Sequence, residues 1–157
     1  MSTSDQSASQ QHDRTRRVIV GIDGSARSRE ALTWAVTEAS LRGAELHAVT
    51  AWWVPGGYGD VWMISPGADY ATEAGKILDA ALVEALGPQE AQLVHRHLVE
   101  GNPANALIDL AGPGDLIVVG SHGHGGFVGA LIGSVSQRVA AHAQCPVVIV
   151  RHPKNQH

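Results

Sequence analysis

Residues 115–137 read DLIVVGSHGHGGFVGALIGSVSQ, and the order of features along them decides the fold. The run LIVV is short, apolar and rich in β-branched residues, the pattern of a strand buried on both faces. Six glycines then fall between positions 120 and 133, interleaved with Phe127, Val128, Ala130, Leu131 and Ile132. Glycine in ordered chain costs about 0.5–1 kcal/mol relative to alanine, so such a cluster marks a backbone that needs positive φ or a close approach. The apolar side chains between the glycines argue against a flexible linker, whose glycines are mixed with polar residues. SVSQ (134–137) fits a helix start, with Ser134 capping and Gln137 reaching back. Strand, glycine loop and helix thus follow one another, a setting in which main-chain amides and a helix N-terminus hold a phosphate.

The same alternation extends outward from this segment. VIVGI (18–22) reads as a buried strand, and after it Ser25 is placed to cap a helix carrying Leu32, Ala35, Val36 and Ala39 until Gly43 stops it. AELHAVTAW (44–52) is a second strand. WVPGGYGDVWMISPGA (53–68) is rich in proline and glycine and reads as a loop long enough for a lid or binding role. Trp52, Trp53 and Trp62 either line a pocket there or shield the core. Residues 70–86 form a helix with Ile77, Leu78, Ala81, Leu82 and Ala85 on one side and Gly87 beyond its end. QLVHRHLVE (92–100) is a third strand, nearer the sheet edge. Asn102 and Pro103 suit the cap and first turn of a helix running to Ala111. After the glycine loop and its helix, CPVVIVR (145–151) is the fifth strand, with Pro146 at its start.

Strands separated by helices imply a parallel sheet covered on both faces, with right-handed crossovers. Ligands in such sheets sit outside the carboxyl ends of the strands, where the winding reverses. The small, flexible strand ends are GIDGS after the first strand and GSHGHGG after the fourth. If these two strands are neighbours, the order is 3-2-1-4-5, which the sequence permits without demanding.

A chain of 157 residues fits one domain, and 44% hydrophobic with 17% charged residues is the composition of a globular protein. A net charge of −4, with two lysines (Lys76 and Lys154) and nine scattered arginines, gives no nucleic-acid surface. Cys145 is the single cysteine, so no internal disulfide forms. The polar start MSTSDQSASQQHDRTRR lacks the apolar core of a signal peptide, and no apolar run reaches the roughly 18 residues of a membrane span. The expectation is a cytoplasmic protein with a disordered tail over 1–15, a domain over 16–152 and a short tail over 153–157.

The glycine loop is not a Walker loop, for GxxxxGK[ST] is absent and no lysine lies near, and GxGxxG is absent too. Gly120, Gly123, Gly133 and Ser134 instead form GxxGx9G[ST]. With VGIDGS closing the first strand, LHAVTAW the second, and GSVSQRVAAHAQCPVVIVR at the end, the chain resembles the universal stress protein family from Arg16 to His152. That resemblance implies a flavodoxin-like α/β domain of order 3-2-1-4-5, a homodimer near its last strand, and, in the branch that keeps the glycine motif, ATP binding. It places Gly21, Ile22 and Asp23 at adenine and ribose and Ala48 at the adenine position on strand two. Gly120, His122 and Gly123 fall in the first part of the phosphate and ribose loop, and Gly133, Ser134, Val135 and Ser136 in the second.

The chemistry of the residues fits that placement. Phosphate oxygens need converging donors, and glycines at 123 and 133 remove side chains that would hold them off. A helix N-terminus supplies about 0.3–1 kcal/mol per anion when exposed and about 2 when partly buried, so without a lysine Mg²⁺ or an arginine (Arg27, Arg29 or Arg138) must add to it. Micromolar affinity follows, about −8 kcal/mol. Asp23 has the alternative role of capping the first helix. His122 and His124 lack a carboxylate or cysteine beside them and make a poor metal set. His95 and His97 share one strand face, either as a zinc pair or as a solvated edge. No catalytic set is present. The leading expectation is an ATP-dependent stress regulator with an unidentified protein partner and little or no hydrolysis. The alternatives are a slow ATP hydrolase or phosphotransferase, a binder of cyclic AMP or AMP, and a ligand-free dimeric scaffold.

Overall fold

A computed structural model describes residues 16–53, 66–123 and 132–152. Its five strands are β1 (Arg17–Gly21), β2 (Glu45–Trp52), β3 (His95–Glu100), β4 (Leu116–Gly120) and β5 (Val147–Val150). The helices are α1 (Ala26–Arg42), α2 (Pro66–Leu86), α3 (Pro88–Ala91), α4 (Pro103–Leu110) and α5 (Ser134–His142). All strand pairs are parallel, in the order β3-β2-β1-β4-β5. The fold is therefore a single α/β domain with the sheet order that the sequence permitted.

Both faces of the sheet are covered, which is why Val18 to Val20 of β1 and Leu116 to Val119 of β4 are apolar at successive positions. Val18 and Val20 of β1, Ala48 of β2 and Leu116 and Val118 of β4 pack with Leu32 and Ala35 of α1 and Leu78 and Leu82 of α2. Their strand neighbours Ile19, Val49, Ile117 and Val119 point the other way, onto Leu107 of α4 and Val139 of α5. The two apolar layers hold the strand ends fixed relative to one another.

Local signals set most helix ends. The Ser25 side chain accepts from Ser28 N at 3.2 Å and starts α1, while Gly43 closes it in the left-handed conformation at φ 60°. Asn102 caps α4 by accepting from Ala104 N at 2.9 Å and Asn105 N at 3.2 Å, with Pro103 in the first turn. Three expectations need correction. The helix expected from residue 70 begins at Pro66, because proline suits a first helical turn as well as a loop. The short α3 occupies 88–91, so β3 starts at His95 and not at Gln92. At the other edge, β5 starts at Val147, after Cys145 and Pro146.

At the amino ends of β1 and β4, the Arg17 guanidinium is 2.6 Å from the Asp115 carboxylate and also donates to Leu110 O at 2.9 Å. Gly112 N donates to the same carboxylate at 2.7 Å. Among the described residues no helix is long and apolar enough to cross a membrane. The expected tails over 1–15 and 153–157, and Trp62 and His124, lie outside the described residues.

Candidate functional site

The winding reverses between β1 and β4, and a crevice of about 500 Å³ opens there at the carboxyl ends of the strands. That volume lies within the range of small-molecule sites. One wall is built from Gly21, Ile22 and Asp23 after β1, and another from Gly120, His122 and Gly123 after β4. Val49 and Ala51 from β2 and Trp53 just after it, with Pro103 and Leu107 from α4, make an apolar side. Ile132 to Gln137, the entry into α5, closes the remaining side. Ten of the eleven residues expected at a site are thus brought together.

Ala48 is the exception. Its side chain is fully buried in the layer beneath α1 and α2, and the alternation of β2 turns Val49 and Ala51 toward the crevice instead.

Each glycine of the motif is a position of close approach. A Cβ on Gly120 would lie 2.9 Å from the backbone carbon and oxygen of Arg27, so this glycine lets α1 sit against the end of β4. A Cβ on Gly123 would collide with Asp23 Oδ2. On Gly133 it would come within 3.3 Å of His122 Cα and Ser121 O, while Gly133 N donates to that same oxygen at 2.5 Å. None of the three has positive φ, so close approach and not backbone conformation explains them.

The start of α5 also differs from the expected capping box. Gly133 is the N-cap and carries no side chain, whereas Ser134 is the first helical residue. The first intrahelical bond is Gln137 N to Gly133 O at 3.0 Å, so the amides of Ser134, Val135 and Ser136, three residues that line the crevice, precede the helical ladder. The Ser136 hydroxyl is already used: it is buried and donates to Gly120 O at 2.6 Å, tying α5 to β4. Asp23 does not cap α1, since Ser25 does. Its Oδ1 accepts from Ser25 N at 2.9 Å, which fixes the carboxylate at the crevice mouth.

Of the arginines expected to supplement these amides, Arg27 is exposed and does not line the crevice, and the other two have partners elsewhere. Arg138 donates to Asn105 Oδ1 at 2.9 Å, and Arg29 lies 3.7 Å from Glu84. No lysine or arginine lines the crevice among the described residues, and its ionisable side chains there are Asp23 and His122. The result is a cleft with an apolar wall at one side and, at the other, the start of α5, which has no side-chain cap. Sequence reasoning missed Val49, Ala51, Pro103 and Leu107, for which the paired order of β2 with α4 was needed.

The family model described as "Universal stress protein family" matches residues 14–151 of this chain. A universal stress protein of Mycolicibacterium smegmatis is 42% identical over 144 residues, covering 89% of this chain and 47% of that protein. The chain spans about half the length of the curated relatives it matches. Among solved structures, a universal stress protein in complex with cAMP is 30% identical with a TM-score of 0.63, covering 88% of this chain and 98% of that one. A protein of the same family from Burkholderia pseudomallei is 25% identical with a TM-score of 0.60, covering 85% of this chain and 94% of the other.

Proposed function

Because the chain belongs to the universal stress protein family, we propose that its β1/β4 crevice binds an adenine nucleotide, foremost ATP with Mg²⁺, as the switch of a stress regulator. The observation that carries this reading is the junction of side-chain-free positions with the uncapped start of α5. Ser134, Val135 and Gly123 offer main-chain amides to the phosphates, and the adenine lies against Val49 and Ala51 with Gly21 and Ile22 beneath it. Asp23 takes the ribose hydroxyls, with His122 at the same end. Residues 16–152 form the responding domain, in a cytoplasmic protein that signals through a regulatory partner. The exposed edge beyond β5 serves a homodimer, which would protect an apolar edge strand.

Binding without turnover fits this cleft. Hydrolysis needs a positioned base or a cation at the terminal phosphate, and the described lining offers Asp23, already bonded to Ser25 N, and His122. A second reading has a specific motive. With no cationic side chain among the described lining residues, the less highly charged cyclic AMP needs less compensation than ATP, and the solved relative holds cAMP.

Competition calorimetry with ATP and Mg²⁺, AMP and cyclic AMP separates these readings. ATP with Mg²⁺ is expected to bind with roughly micromolar Kd, near −8 kcal/mol. At a hundredfold excess over Kd it stabilises the fold by about 2.7 kcal/mol, a clear rise in Tm. Tighter binding of cyclic AMP selects the second reading, and no heat or Tm shift from any of the three rejects the nucleotide site.

A further inference from the structure

The opposite end of the sheet carries a second chemical cluster. His47 pairs in register with His95, and Val49 with His97, so His47, His95 and His97 project from one face, the face that Val49 shares with α4. Glu45 lies two residues before His47 on that same face. Glu45 Oε2 is 3.2 Å from His47 Nε2 and 3.9 Å from His95 Nε2. One ligand atom from each of Glu45, His47 and His95 lies within 4.8 Å of the others. The His47 and His95 rings stack with centroids 4.4 Å apart, and His47 Nδ1 is 2.9 Å from His97 Nε2.

We propose that Glu45, His47 and His95 form a binding site for a zinc-type divalent metal ion, with His97 orienting His47 from behind. Tetrahedral zinc with bonds of about 2.0–2.2 Å places its ligand atoms about 3.3 Å apart, so from spacings within 4.8 Å the His95 ring must turn out of its stack on His47 and its ligand atom move by up to about 1.5 Å. The side chains that must move are the exposed ones, His95 at 52% and Glu45 at 41%, whereas His47 is buried and held by the sheet. Two imidazoles and a carboxylate suit zinc, nickel or copper and not magnesium or calcium. A fourth position stays open to water.

The hydrogen bonds explain why His97 belongs to the site. With both rings neutral and the Glu45 carboxylate accepting from His47 Nε2–H, the chain without a cation runs on from His97 Nε2–H to His47 Nδ1. With a metal on His47 Nε2, both rings change tautomer: His47 Nδ1–H then donates to His97 Nε2. This is the outer partner that metal-bound histidines ordinarily have. Both rings stay neutral throughout, so no net proton is lost. Arg17, the nearby cation, is itself paired with Asp115.

The test is a titration of the full-length protein, stripped of metal and free of nucleotide, with zinc chloride. The expected result is saturable binding of one ion per chain. Glu45→Gln and His95→Ala, both at exposed positions that spare the fold, should each weaken it by at least about 100-fold, and His97→Phe by about 10–100-fold. His152→Ala, remote on Glu30, should leave it unchanged. Nitrogen-15 spectra of the imidazoles should show the tautomer of His97 exchanging on metal addition, which a merely structural role would not produce. No saturable binding at millimolar zinc, or binding undiminished in the Glu45→Gln/His95→Ala double variant, overturns the proposal.

Discussion

Gly123→Val lowers affinity for ATP with Mg²⁺ by at least about 100-fold, or about 2.7 kcal/mol, while the fold persists. The reason is local. A Cβ at this position runs into Asp23 Oδ2, and Asp23 cannot swing aside freely because its other oxygen accepts from Ser25 N at 2.9 Å. Either the carboxylate leaves its anchor or the chain after β4 is pushed away, and both outcomes spoil the wall shared by the strand ends. Gly123 is exposed and lies outside both apolar layers, so the cost to stability is small. Calorimetry with nucleotide beside thermal denaturation checks both halves. A companion experiment identifies the mechanism: if the clash is with the Asp23 carboxylate, Gly123→Ala costs less affinity in an Asp23→Ala background than in the wild type. Unchanged affinity in Gly123→Val contradicts the reading of the loop.

Asp115→Asn destabilises the fold by about 2–3 kcal/mol at neutral pH. Removing one partner of a buried ion pair typically costs about 3–5 kcal/mol, and a somewhat smaller value applies here because Arg17 keeps partial solvent access and its bond to Leu110 O. The pH dependence has a definite sign. Burial works to raise the Asp115 pKa, but the hydrogen bonds from Arg17 and Gly112 outweigh it and hold the group below its ordinary 3.8. The ionised form is thus favoured by folding, and its stabilisation is complete above the unfolded pKa and lost as pH falls through the folded one. Denaturant unfolding should show wild type well above Asp115→Asn at pH 7, with the gap closing at pH below about 4. Equal stability at pH 7, or a gap that does not change with acid, contradicts the assignment.

The parts of the fold legible in sequence are those whose cause is local. Ser25, Gly43 and the Asn102–Pro103 pair act on their own helix ends, and the run of β4 is marked as a strand by its shortness, its branched residues and the glycines that flank it. The start of α2 was hidden because Pro66 and Gly67 read equally as loop, and α3 because four residues give no periodicity. At the site, the motif glycines were legible but their reason was not. Gly120 serves the packing of α1 against β4, a contact across more than ninety residues of chain. Ala48 rests on the family resemblance alone, and β2, with small or branched apolar residues at both 48 and 49, carries no local signal to say which of the two meets the crevice. The partners of Ser136 and Arg138 depend on α5 meeting β4 and α4, and no local pattern encodes those meetings.

Amide chemical shifts, followed while ATP and Mg²⁺ are added to the nitrogen-15 labelled protein, test the main-chain cradle most directly. The account predicts saturable changes that are largest at Gly123, Ser134 and Val135 and spread to Gly21 and Val49. Saturable changes confined to residues away from β1, β4 and α5, or none at millimolar nucleotide, would contradict it.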